Sequence, residues 1–134
     1  MSFVILHKAE QLDQTMEWLQ SLLEGERVSV TIIHDLKVVL DELIANTFMH
    51  GCGEQQDGWL KVSLERRDNC LSLIFEDNGE PFDPLQQESE EITGSLADRP
   101  IGGLGLLLVK SLTDVQQYHR AEDRNILVLC KNLN

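Results

Sequence analysis

Cationic side chains are scarce in this chain. Its 134 residues include 11 Lys or Arg against 23 Asp or Glu, a formal net charge of −12. Such a surface argues against nucleic acid or an anionic membrane held through bulk charge. An anionic ligand then needs local positive potential, from backbone N–H groups or a bound cation, while a basic protein partner is permitted. Cysteine is sparse too. Cys52, Cys70 and Cys130 are odd in number and have no CxxC spacing. That excludes a zinc knuckle and argues against a secreted disulfide framework. Long hydrophobic runs are missing. The N-terminal run Phe3 to Leu6 has four residues, too few for a signal-peptide core or for the roughly 20 apolar residues of a membrane span. A cytoplasmic protein without membrane contact is expected. No internal repeat is present, and Gln86 to Glu91 reads as solvated loop.

What is present is an ordinary core. Apolar residues make up 42% of the chain, enough for one globular domain over residues 1–134 without metal or disulfide staples. Phe3 to Leu6 predicts a strand. Leu12, Met16, Leu19 and Leu23 recur at helical spacing, so a helix is expected from Ala9 to Glu24, closed by Gly25. Ile32 to Thr47 repeats the pattern and predicts a second helix over residues 29–49, ending at Gly51-Cys52-Gly53. The period then switches to two. Trp59 to Glu65 and Cys70 to Glu76 read as a hairpin turning at Arg67-Asp68-Asn69. All three prolines fall between Asp77 and Ile101, a loop too long to be a mere connection. A third helix follows at Leu106 to Leu112, then two strands, Val115 to Arg120 and Asn125 to Lys131. The order β-α-α-β-β-loop-α-β-β predicts an α+β fold, a two-layer sandwich of a mixed, mostly antiparallel sheet with helices on one face.

Three places carry chemistry, each with a plainer reading beside it. Glu42 and Asn46 are four apart on a helix and project from one face, at the margin of the apolar stripe. A carboxylate and an amide oxygen so placed suit Mg²⁺ held partly through water. The carboxylate could also orient a water or hydroxyl; the plainer reading is a solvated helix face. Asp77-Asn78-Gly79 ends an apolar strand with a turn-forming glycine, so the Asp77 carboxylate sits at the mouth of the sheet, able to accept from an exocyclic amine such as adenine N6. Plain turn chemistry would look the same. Gly102-Gly103-Leu104-Gly105 leaves N–H groups bare at the positive end of a helix, which suits phosphate; the alternative is tight helix–sheet packing. It is neither a P-loop nor the dinucleotide fingerprint.

Taken in order, ExxxN on a helix, DxG after a hairpin strand, a long acidic loop and GGLG opening a helix resemble the N, G1 and G2 boxes of the GHKL ATPase superfamily. The segments LDELIANTFMHG, EDNGEPFDP, RPIGGLGLLLVKSLTD and RNILVLCKNL are similar to those of the anti-sigma-factor serine/threonine-protein kinases, the RsbW/SpoIIAB-like group. That resemblance implies a histidine-kinase-like (Bergerat) fold with a nucleotide lid at about residues 80–101, and ATP and Mg²⁺ as cofactors. It implies Glu42 as the catalytic carboxylate and Asn46 as the Mg²⁺ ligand. Asp77 would bind the adenine amine with Gly79 beside the base, and the Gly103-Leu104-Gly105 segment would meet the phosphates. The implied partners are a STAS-type anti-anti-sigma protein, phosphorylated on serine or threonine, and a sigma factor, bound by a homodimer with no direct nucleic-acid contact. The alternative is a non-catalytic, ATP-binding or nucleotide-free module that sequesters a regulatory partner. The chain departs from the pattern at Arg124-Asn125, where many relatives carry Gly-Thr, the threonine supporting the adenine-binding Asp.

Overall fold

The computed structural model describes residues 2–51, 57–85 and 103–133. Strand β1 (Ser2–Leu6) leads through a 3₁₀ turn (Ala9–Gln11) into α1 (Leu12–Gly25), α2 (Val30–Asn46) and a π-helical turn (Thr47–Gly51). Strands β2 (Leu60–Arg67) and β3 (Cys70–Asp77) form a hairpin. Helix α3 (Gly103–Leu112) precedes the second hairpin, β4 (Val115–Ala121) and β5 (Arg124–Asn132). The five strands run in the order β1-β2-β3-β5-β4. All four pairings among the described residues are antiparallel, in keeping with the mostly antiparallel α+β sheet expected.

The two periodicities place the core. Alternate residues Leu60, Val62 and Leu64 of β2, Leu71, Leu73 and Phe75 of β3, and Leu127 and Leu129 of β5 are buried. They meet Leu19 and Leu23 of α1, Leu36, Leu40 and Leu43 of α2, and Leu106 and Val109 of α3. The helices thus cover one face of the sheet, and each fully buried leucine contributes about 1.5–3 kcal/mol. Each hairpin turns over two residues, both left-handed in the β4–β5 turn and one of them, Asp68, in the β2–β3 turn. Asp68 has φ 53°, and Glu122 and Asp123 have φ 52° and 62°, the twist that antiparallel strands demand.

Three local features differ from the sequence reading. Helix α1 does not stop by virtue of Gly25, which is its last helical residue. Arg27 makes the turn with φ 59°, while Val28 N–H donates to Leu23 O and Arg27 N–H to Glu24 O, the Schellman pattern. The second helix is α-helical only to Asn46, and its final turn widens to a π-helical one from Thr47. Ser29 caps its start, accepting from Ile32 N–H at 3.3 Å. Cys70 and Cys130 are joined across β3 and β5 as a disulfide, Cα atoms 6.3 Å apart. It is one cross-strand link rather than a framework, visible only once the register sets Cys130 opposite Ser72. Cys52 and most of the expected lid, from Gln86 onward, lie outside the described residues.

Lys131 on β5 binds the helices to the sheet. Its Nζ donates to Leu112 O at 2.9 Å and pairs with Asp35 on α2 at 3.4 Å. The cation also faces the negative end of the α3 dipole. That holds α3 with its glycine-rich N-terminus beside α2.

Candidate nucleotide site

Asp77 is the last residue of β3, and the strand register sets it directly opposite Asn125 of β5. Asp77 is 8% exposed and Asn125 is 5% exposed. Oδ1 of Asp77 accepts from Gly79 N–H at 2.9 Å and from Asn125 Nδ2 at 3.0 Å. No hydrogen bond from the described residues reaches its other oxygen, Oδ2. That oxygen can accept from a ligand amine or from water in the adjoining cavity. Gly79 is held at both ends, because its carbonyl accepts from Arg120 Nη1 at 2.7 Å.

Asn125 uses its whole amide. Nδ2 also donates to Glu80 O at 2.8 Å, and Oδ1 accepts from Phe82 N–H at 3.2 Å and from the Tyr118 hydroxyl. Burial pushes the Tyr118 phenol above its ordinary value, against the Phe82 backbone and Arg120, which pull it down. These groups surround a cavity of about 30 Å³, room for a water or two but not for a purine. Asn46 and Thr47, at the end of α2, line it together with Phe75, Phe82 and Tyr118.

Glu42 lies one helical turn before Asn46 but is not among the cavity's lining residues. Its carboxylate packs on α3: a Cβ placed on Gly105 would lie 2.0 Å from Glu42 Oε2. No side chain fits there, so Gly105 is where the backbone of α3 and the carboxylate meet. Burial, and next to it the charge of Asp41, raise the Glu42 pKa above the ordinary 4.5.

The structure therefore brings Asp77 and Asn46 to one cavity, ties Gly79 to Asp77 through its N–H, and sets Glu42 beside Gly105. Gly103 opens α3 as expected, followed by Leu104, whose side chain is outside the described set. Asn125, Arg120 and Tyr118 are site residues that local sequence patterns did not indicate. Among the described residues no group of three or more His, Cys, Asp or Glu could hold a metal. The donor set suits a hard cation that arrives with phosphate and water and takes one protein oxygen, from Asn46. No helix among the described residues is long and apolar enough to cross a membrane.

Comparison with known proteins agrees with this architecture. The anti-sigma F factor of Clostridium novyi is 25% identical over 121 residues, covering 90% of this chain and 75% of that protein. The serine-protein kinase RsbW of Listeria innocua is 32% identical over 111 residues, covering 79% and 69%. The catalytic domain of the histidine kinase ThkA superposes with a TM-score of 0.60 at 14% identity, over 99% of this chain and 97% of that one; it shares the fold. The family model described as histidine kinase-like ATPase domain matches residues 5–131, and the chain belongs to that family.

Proposed function

We propose that this chain is an anti-sigma-type serine/threonine-protein kinase that binds Mg-ATP. One observation carries the reading: among the described residues, the buried Asp77 carboxylate accepts two hydrogen bonds at Oδ1 and none at Oδ2, in the cavity that Asn46 also lines. The named relatives, an anti-sigma F factor and a serine-protein kinase, support the class. ATP would supply the transferable phosphoryl group and magnesium the charge that neutralises it.

This chain's own residues do the positioning. Asp77 accepts from the adenine amine, and Asn46 with water holds the cation. The N–H groups of the first turn of α3, from Gly103 to Gly105, meet the phosphates at the positive end of the helix. Glu42 takes the proton of the attacking serine or threonine hydroxyl, a role suited to a carboxylate whose pKa burial has raised. The cavity is too small for a purine as it stands. Admission of the base requires the segment Glu80 to Leu85, which carries Phe82, to move outward. The proposed partners are a STAS-type anti-anti-sigma protein as phosphoacceptor and a sigma factor as the sequestered protein, with the kinase acting as a homodimer in the cytoplasm.

Calorimetric titration with ADP, with and without Mg²⁺, tests the site. Glu42→Gln should bind nucleotide within about threefold of the parent and transfer phosphate at least about a hundredfold more slowly. Transfer at the parent rate by Glu42→Gln would remove Glu42 from the chemistry. A parent chain that binds no nucleotide would overturn the reading altogether.

A further inference from the structure

Among the described residues the helices leave one face of the sheet bare. Cys70 and Ser72 of β3 and Val128 and Cys130 of β5 lie on that face, each half-buried, while Leu71, Leu73, Leu127 and Leu129 between and beside them face the helices. Cys70 stands opposite Asn132 and Cys130 opposite Ser72, so the two cysteines are diagonal neighbours with Cα atoms 6.3 Å apart. That spacing is one a disulfide spans, and the strand ladder sets it whether or not the sulfurs are joined. The same backbone therefore serves the bonded pair and two free thiols.

Two observations give the pair something to control. The cysteines are 60 residues apart in sequence, and the ring their bond closes holds Asp77, α3, β4 and most of β5, while α1 and α2 lie outside it. The end of β5 is also a junction. Cys130 O accepts from Asp114 N–H at 2.8 Å, and Leu133 N–H donates to Asn69 O at 2.7 Å. Asn132 N–H donates to Asp114 Oδ2 at 2.7 Å, and Lys131 reaches Leu112 O and Asp35. A bond at Cys130 pins that junction to β3.

We propose that Cys70 and Cys130 are a redox switch, a reversible clasp that glutathione disulfide closes and glutathione thiol opens, stiffening or releasing the half of the domain that carries α3 and the second hairpin. In closing, one cysteine thiolate attacks a sulfur of glutathione disulfide, forming a mixed disulfide and expelling one glutathione. The other thiolate then attacks the protein sulfur of that bond and expels the second. The two cysteines lose two electrons, glutathione disulfide gains them, and the two thiol protons end on the released glutathiones. Access from the bare face allows the mixed disulfide to form. In a glutathione-reduced cytoplasm the clasp rests open. Closed, it takes freedom from the unfolded ring and so opposes opening of that half.

The test uses the full chain carrying Cys52→Ser, so that only this pair can bridge. The protein is equilibrated without nucleotide in buffers of graded glutathione thiol-to-disulfide ratio and alkylated, and its free thiols are counted by intact mass. The count is expected to pass from both thiols free to none, and to reach the same value from either direction. Cys70→Ser and Cys130→Ser should each keep one thiol that at most carries a glutathione. Closing should raise the urea midpoint by at least about 0.5 M. It should also slow amide exchange in α3 and β5 at least about tenfold, and Cys70→Ser should show neither change between the same buffers. The clasp and the nucleotide reading fail separately, since no readout needs a nucleotide. Both thiols staying free at every ratio would overturn the switch. So would a bond that excess glutathione thiol never opens, or a closed form whose α3 and β5 exchange as fast as in the open one.

Discussion

At the scale of the residue, Glu42 is the group whose surroundings make a measurable demand. Its carboxylate is packed on the backbone of α3 at Gly105, and burial raises its pKa. In the unfolded chain the group returns to its ordinary value of 4.5. Between that value and the raised one the folded state holds the proton that the unfolded state has released. Stability from this group therefore falls as pH rises through that window. Glu42→Gln removes the titration. Its stability relative to the parent should grow as pH rises from about 4 to neutrality, as seen in urea denaturation at a series of pH values. A difference that stays flat, or shrinks with rising pH, would mean that Glu42 is better solvated than its packing indicates.

At the scale of the element, the turn after α1 shows what patterning conveys and what it hides. Helical spacing from Leu12 to Leu23 marked the helix, and Gly25 was the obvious stop, but the left-handed position falls on Arg27. An L-residue there carries a cost that glycine does not, and the Arg27 side chain is exposed. Arg27→Gly should stabilise the protein by about 0.5–1 kcal/mol, raising the denaturation midpoint with the slope unchanged. A lower midpoint would place the chain entropy of glycine above the strain of arginine. The same contrast runs through the site. Asp77, Gly79, Asn46 and Glu42 were legible because each sits in a short local pattern, ExxxN or DxG, on a predictable element. Asn125 was legible only as a departure from relatives. Its contact with Asp77 spans 48 positions of sequence and exists because β3 and β5 pair in one register. The Cys70–Cys130 link was hidden for the same reason, and so was Arg120 over Gly79, because pairing of non-adjacent hairpins is not written in either one.

At the scale of the molecule, charge sets the terms on which a nucleotide arrives. The net charge of −12 repels an anion from every direction. Among the described residues, local attraction comes from the N-terminus of α3 and from Arg120, whose guanidinium is held on the Gly79 carbonyl. These two influences differ in range. At about 0.01 M salt the screening length is about 30 Å, comparable with the whole domain, and the full charge is felt at the site. At about 0.15 M it shrinks to about 8 Å, which silences distant carboxylates but leaves groups in contact with the ligand. ADP binding without Mg²⁺ should therefore tighten, by about threefold to tenfold, between those two salt concentrations. Proteins with basic clefts show the opposite slope. With Mg²⁺ present the slope should flatten, because the cation cancels about two units of nucleotide charge before binding. Calorimetry at fixed pH across a salt series measures both slopes. If Mg-free ADP bound more weakly at the higher salt, the local cationic groups would outweigh the molecule's overall charge, and Arg120 would become the first residue to replace.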